Sequence, residues 1–271
     1  MAVDHYENFP VASVLLPRRL RRPVEIIYHF ARQADDFADE GDIPNGERLA
    51  KLDAFRAELR RIEANEAPQT PLFIDMASIV SEFQLPPQLF HDLLDAFSQD
   101  VVKNRYADFD EVLDYCRRSA NPVGRLLLHL YEEATPQNLI YSDQICTALQ
   151  LINFWQDVKK DYAITRIYLP QDEMARHGVT EECIAQCRPD AAWQELMRFQ
   201  CARARSMMQS GAPLGSILNG RIGLEMRMII AGGLRILDKL DEVKYDMFNR
   251  RPVLKPWDWV IMLFQSAPFR F

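Results

Sequence analysis

The run "TPQNLIYSDQICTALQLINFWQDVKKDY", residues 135–162, contains no glycine and, after Pro136, no proline. Strands are usually about 3–10 residues long, so an unbroken stretch of this length reads as one long helix. The rest of the chain repeats the pattern. "PVEIIYHFARQADDFAD" opens on Pro23, which suits a first helical position, and Gly41 follows its end, where a C-terminal capping glycine belongs. "ERLAKLDAFRAELRRIEANE", "LFIDMASIVSEF", "PPQLFHDLLDAFSQDVV" and "DFDEVLDYCRRSA" read as further amphipathic helices. "NPVGRLLLHLYEEA" reads as a helix capped by Asn121 with Pro122 at its first position. "ITRIYLP" looks extended, and "DAAWQELMRFQCARARSMMQS" and "APLGSILNGRIGLEMRMIIAGGLRILDKLDEV" read as two more long helices. Strict apolar–polar alternation bounded by turn residues is absent, as is any fixed-period repeat. The expectation is an all-α chain, residues 1–271 forming a single domain of roughly ten helices.

Composition narrows the function classes. Ten glycines against 16 prolines, with no glycine-rich phosphate loop, favour helix over a nucleotide-binding sheet. A net charge of −7 argues against a nucleic-acid partner. "PRRLRR", with Arg18, Arg19, Arg21 and Arg22, is either a solvated basic patch or a surface that meets anionic lipid or diphosphate. Five cysteines and an N-terminus without an apolar run fit a reduced, cytoplasmic setting. Cys183 and Cys187 are four apart but have no partners at zinc spacing. The tail "PWDWVIMLFQSAPFRF" is too short to span a bilayer. It reads as a core helix, or as a loose interfacial anchor.

Two helices share a chemical pattern. On the first, Tyr28, Arg32, Asp35 and Asp39 fall at i, i+4, i+7 and i+11, with Asp36 alongside. On the second, Gln150, Asn153, Asp157 and Asp161 fall at i, i+3, i+7 and i+11. At about 100° per residue each set lies on one face. "IIYHFA" and "ICTALQLINFW" precede the two carboxylate pairs, so the acidic stripes are expected to enter the interior. Clustered carboxylates in a dry site must take up protons or gather round a cation. Mg²⁺ suits them: it takes hard oxygen ligands and binds through one or two carboxylates plus substrate phosphates. The alternative is a charged, solvated face in which Asp157 and Lys160 form an ordinary i, i+3 ion pair. On the metal reading, Lys159 and Lys160 point off the metal face.

With these motifs the chain resembles the trans-isoprenoid head-to-head synthases: squalene, dehydrosqualene and phytoene synthases. "YHFARQADDFAD" and "QLINFWQDVKKD" resemble the family's two D-x-x-x-D motifs, and "RIYLP" its R-x-Y segment. "HYENFPVASVLLP", "RYADFDEVLDYC" and "EVKYDMFNRRP" are similar to other family segments, so the resemblance covers nearly the whole chain. It implies a single-domain helical bundle around a central active-site cavity. It implies catalytic and metal-binding roles for Asp35, Asp39, Asp157 and Asp161, with Asp36 and Asn153 as further metal ligands. It implies substrate contacts from His5, Asn8, Tyr28, Arg32, Tyr115, Asn121, Gln150, Arg166, Tyr168 and Tyr245. "SANPVGR" departs from the V-A-G-x-V-G usual in the family. With "ENFPVAS" and "NFWQD" it resembles a bacterial subgroup, the hydroxysqualene synthases of the hopanoid route.

That subgroup's reaction is ionisation of presqualene diphosphate and capture of the cation by water. Mg²⁺ is the implied cofactor. The implied partners are a presqualene diphosphate synthase before it and a hydroxysqualene reductase after it, with possible peripheral contact at the inner face of the membrane. Tyr28, Phe30, Phe154, Trp155 and Tyr115 are candidates to face the cation, or are plain core. Leu126, Leu127, Leu128, Met226, Met228 and Ile229 could line the channel for the isoprenoid tails. Asn121 either orients the water or only caps a helix. The alternatives are condensation of two prenyl diphosphates to presqualene diphosphate, squalene or a phytoene-type product, or a non-catalytic helical assembly factor.

Overall fold

The computed structural model describes residues 16–41 and 43–266. Among them the chain forms thirteen helices and no strand; one isolated parallel bridge joins Arg105 and Ile167. The helices are α1 (Arg18–Asp39), α2 (Asn45–Glu63), α3 (Pro71–Phe83), α4 (Pro87–Val102), α5 (Phe109–Ser119), α6 (Asn121–Leu130), α7 (Pro136–Ala163), α8 (Gln171–Arg176), α9 (Glu181–Ala185), α10 (Ala191–Gly211), α11 (Leu214–Ile217), α12 (Gly220–Glu242) and α13 (Pro256–Ser266). The all-α expectation holds. The helices divide between two compact units, Met1–Lys103 with Tyr115–Leu139, and Asn104–Asp114 with Ile140–Phe271.

In the first unit α1 packs against α2, α3 and α4. Its buried face, including Leu20, Val24, Ile27, Phe30, Ala34 and Ala38, recurs every three or four residues. Phe30 sits at the centre of an aromatic cluster, 5.3 Å from Phe90, 5.7 Å from Phe55 and 5.9 Å from Phe73. That settles Phe30 as core rather than a face for a cation. α1 starts at Arg18, so Pro23 is interior to the helix, not at its first position. The four arginines of "PRRLRR" are exposed, and Arg19 and Arg22 pair with Glu132 and Asp75 at 2.9 and 3.1 Å. Gly41 lies just past the helix end with φ +80°, the left-handed conformation glycine takes most easily. Asn121 does not cap α6. Ala120 holds that position, and Asn121 is the first helical residue, buried with Pro122 and Val123.

The second unit is built on α7, α10 and α12. Gly211 of α10 lies so close to α7 that a Cβ there would sit 2.6 Å from the Tyr141 carbonyl oxygen. A Cβ on Gly233 of α12 would meet Met208 at 2.6 Å, and Ile152 and Leu149 at 3.3 Å. Trp193, fully buried, donates its indole N–H to the Tyr245 carbonyl at 2.9 Å. The segment expected as one helix across residues 212–243 is two, α11 and α12, broken at Leu218 and Asn219. The chain folds back there over Gly223, where a Cβ would overlap the Leu218 carbonyl oxygen. "ITRIYLP" is extended as expected: the Ile167 N–H donates to the Asn104 carbonyl at 3.0 Å, and Arg105 donates to the Thr165 carbonyl.

α13 is not a core helix throughout. Asp258 is buried on α12, accepting from Arg235 Nε at 2.8 Å, Lys239 Nζ at 2.7 Å and the Lys255 N–H at 2.7 Å, while Trp257, Trp259 and Val260 face solvent. No helix among the described residues is long and apolar enough to cross a membrane.

All five cysteines are free thiols. Burial pushes the Cys201 thiol up to about 12, and Cys116 higher still. Cys146 and Cys187 are only half-buried. A thiol reacts as its thiolate, so in the native protein at pH 8 a disulfide reagent should label Cys146 and Cys187 first. Cys116 and Cys201 should label only in denaturant. Peptide mapping of the labelled protein checks this; rapid native labelling of Cys116 would contradict the packing around it.

Candidate active site

The two acidic stripes form as the spacing predicts, one in each unit. On α1, Tyr28, Arg32 and Asp35 are half-buried while their neighbours Ile27, Phe30, Ala31 and Ala34 are buried. Arg32 organises this stripe. Its guanidinium reaches Asp35 at 3.2 Å, Asp36 at 2.7 Å and Glu40 at 2.8 Å. The carboxylates do not enter the interior as expected: Asp35 and Asp36 keep 40% and 36% of their side-chain surface, and Asp39 is exposed. Asp39 follows the buried Ala38 in the last turn of α1, and the roughly 100° step per residue turns it away from the packed face.

On α7 the whole stripe, Gln150, Asn153, Asp157 and Asp161, is half-buried among the buried Leu151, Ile152, Phe154, Trp155 and Val158. Asp157 has 13% of its side chain exposed. Both of its oxygens accept from Arg251, from Nε at 2.7 Å and from Nη2 at 2.7 Å. Lys160 Nζ adds a third contact at 2.8 Å. Lys160 therefore does not point off the stripe, because the i, i+3 spacing brings its ammonium back onto Asp157. Lys159 turns the other way, to the Phe248 carbonyl at 3.4 Å. Burial alone raises the Asp157 carboxyl. The hydrogen bonds and charges of Arg251 and Lys160 outweigh that, so it stays below the usual carboxylate range.

Five of the expected residues meet at the C-terminal end of α7. Phe154, Trp155, Asp161, Arg166 and Tyr168 line one small pocket with Val158, Ile167 and Leu169. The turn that closes it is set by the Arg166 N–H, which donates to the Asp161 carbonyl at 2.8 Å, and by Thr165 at φ +67°. Phe154 and Tyr168 stack face to face, ring centres 3.7 Å apart and planes within 5°, and Tyr106 stacks on Tyr168 at 5.5 Å.

The other expected contacts are placed as follows. Tyr115 is buried in the first unit, its hydroxyl donating to Asp100 at 2.7 Å. Tyr245 is buried in the second, its hydroxyl donating to Asp241 at 2.9 Å; burial and Asp241 raise its pKa. His5 and Asn8 lie outside the described residues. Sequence reasoning missed Arg251. The signal was the arginine pair in "FNRRP", already quoted for its tyrosine neighbour.

Among the described residues no three His, Cys, Asp or Glu side chains converge closely enough to hold a metal by themselves. The donor set nevertheless fits Mg²⁺. It is all oxygen, it is half-buried except for Asp39, and each acidic stripe already holds a guanidinium, so it tolerates a cation at that place.

Comparison with known proteins fixes the lineage. A family model described as squalene/phytoene synthase matches residues 2–258. The hydroxysqualene synthase of Rhodopseudomonas palustris is 36% identical over 95% of this chain and 87% of its own. That of Zymomonas mobilis is 34% identical over 90% and 82%. A phytoene synthase from Arthrospira platensis is 29% identical over 97% and 89%. Among solved structures, squalene synthase HpnC from Alicyclobacillus acidocaldarius matches with a TM-score of 0.82 and 35% identity, over 89% of this chain and 90% of that one. A dehydrosqualene synthase shares the fold with a TM-score of 0.79 at 21% identity, over 93% of this chain and 87% of that one. With two carboxylate stripes on helices of this fold, and relatives of this identity along almost its full length, the chain is a member of the squalene/phytoene synthase family.

Proposed function

We propose that this enzyme converts presqualene diphosphate and water to hydroxysqualene and diphosphate, with Mg²⁺ as cofactor and residues 1–271 acting as one isoprenoid-synthase domain. The observation that carries the reading is the pair of acidic stripes, one half-buried on α7 and one partly exposed on the amphipathic α1, each already paired with arginine. The choice within the family rests on relatives named hydroxysqualene synthase at 33–36% identity. Phytoene synthases at 27–32% keep condensation of two prenyl diphosphates as the second reading.

Asp35, Asp36 and Asp39 on one helix, and Asn153, Asp157 and Asp161 on the other, would hold Mg²⁺. When bound it supplies Lewis-acid stabilisation of the departing diphosphate. Arg32 and Arg166 donate charge-assisted hydrogen bonds to phosphate oxygens, and Tyr168 supports Arg166 from two residues further along the extended segment. Such preoriented donors act where negative charge grows as the carbon–oxygen bond breaks. The stacked rings of Phe154 and Tyr168 border the same pocket and give it a rigid apolar wall. Gln150 and Tyr28 extend each stripe toward the helix centre and line the path of the substrate. His5, Asn8, Tyr115, Asn121 and Tyr245 complete the proposed contacts. The lipid substrate and product also imply peripheral membrane contact at the cytoplasmic face, for which the outward Trp257 and Trp259 are suited. A presqualene diphosphate synthase and a hydroxysqualene reductase would stand on either side in the reaction sequence.

The test is an assay with purified protein, Mg²⁺ and no reductant, one arm given presqualene diphosphate and the other farnesyl diphosphate. Hydroxysqualene from the first arm alone is the expected result. Presqualene diphosphate from the second would move the assignment to the condensing enzymes. If both arms are silent and Mg²⁺ with diphosphate gives no thermal stabilisation, the catalytic reading fails.

A further inference from the structure

We propose that Arg251 is an internal counter-ion that competes with the divalent cation for Asp157, so that the second acidic stripe is closed to metal until diphosphate arrives. The inference rests on the metal-binding role given to Asp157 above, and goes beyond it.

Arg251 is held there by the backbone. The chain from Tyr245 to Pro252 is tied down along its length. The Tyr245 carbonyl accepts from Trp193, the Phe248 carbonyl from Lys159, and the Pro252 carbonyl from the buried Gln156 amide at 2.8 Å. Gln156 is the residue before Asp157, so the strap crosses α7 beside the carboxylate. Its guanidinium then meets both Asp157 oxygens in a bidentate fork, the strongest geometry for this pair. The contact joins side chains of two elements 94 positions apart, so it opens by rotation of the Arg251 side chain alone.

With Arg251 and Lys160 in place, Asp157 has two positive charges within 3 Å. A bare dication entering there meets repulsion from both, in a site too buried for water to screen it fully. A dication that arrives with diphosphate brings its own negative charge and meets no such barrier. Metal and diphosphate should therefore bind this stripe together, and metal alone only weakly.

The experiment is titration with Mn²⁺, counting free ion by its electron paramagnetic resonance signal, with and without inorganic diphosphate. The proteins are wild type, Arg251→Gln, Arg251→Lys and Arg251→Gln combined with Asp157→Asn. Without diphosphate, Arg251→Gln should bind Mn²⁺ about tenfold more tightly than wild type, the effect of removing one close charge of like sign. Arg251→Lys should fall between them, because lysine keeps the charge and loses the fork. The double variant should lose the gain. Equal or weaker Mn²⁺ binding by Arg251→Gln overturns the proposal, and shows Arg251 to be a plain helper of ligand binding. If Arg251→Gln does not fold, Arg251→Lys decides: its binding must be tighter than wild type. Should wild type fail to bind Mn²⁺ even with diphosphate, the metal reading falls and this inference with it.

Discussion

Asp161→Asn should lower turnover of the prenyl diphosphate substrate by about 10³-fold, in line with loss of a group that stabilises transition-state charge. Asparagine keeps the size of the side chain and one acceptor oxygen, and removes the charge. Asp161 stands at the last turn of α7 and shares its pocket with Arg166, Tyr168 and Phe154. A carboxylate at the C-terminal end of a helix is electrostatically misplaced, by roughly 0.3–1 kcal/mol, and it also repels Asp157 one turn earlier. The substitution changes charge without changing size, so the fold should persist. Steady-state kinetics with Mg²⁺, read beside a melting curve, check both halves. A change of less than about threefold in kcat/KM would return the second motif to the charged, solvated face that its spacing also allows.

The largest effect on stability is expected from Glu173→Ala. Glu173 is buried on α8 and accepts from the Gln200 amide at 2.5 Å and from both terminal nitrogens of Arg203, at 2.5 and 3.1 Å. The Arg203 guanidinium lies over the Phe109 ring, 3.6 Å from its centre, and over Phe199 at 4.6 Å. One carboxylate thus joins α8 and α10, and through the arginine reaches the start of α5. Removing it strands a partly buried guanidinium, at a cost of about 3 kcal/mol. For a chain of this size that is a fall in melting temperature on the order of 8 °C. Thermal unfolding measures it, and activity at low temperature should persist because no part of the candidate site is touched. An unchanged melting temperature would mean that Arg203 finds another acceptor.

The helices were legible wherever periodicity ran on without competing signals. α7 was expected over residues 135–162 and is Pro136–Ala163. α1 was misjudged at its start because Pro23 is the usual mark of a first turn. Near a helix N-terminus a proline forfeits only one backbone bond, and the Leu20, Val24 and Ile27 face holds the helix across it. The α11–α12 break was hidden for the opposite reason. Gly215, Gly220 and Gly223 permit a fold-back, but a glycine in an apolar run does not announce one. Both acidic stripes could be read because a stripe is a local property of one helix. Arg251 could not, because its partner lies 94 residues away and only the tertiary path of the strap brings them together. The Tyr168–Phe154 stack was missed on the same ground: it depends on how the extended segment returns across α7.

The glycine contacts beneath α7 bear on how product choice can be altered in this scaffold. At Gly211 a Cβ would meet the main chain of α7 at 2.6 Å, while at Gly233 it would press on the end of the Met208 side chain at 2.6 Å and on Ile152 and Leu149 of α7 at 3.3 Å. The helix carrying Asn153, Asp157 and Asp161 is thus fixed in height and rotation as a rail would be. A library that diversifies Gly211 would return mostly unfolded variants, whereas Gly233 can take a small side chain if Met208 shifts. One that spares Gly211 can recut the pocket by side chains alone.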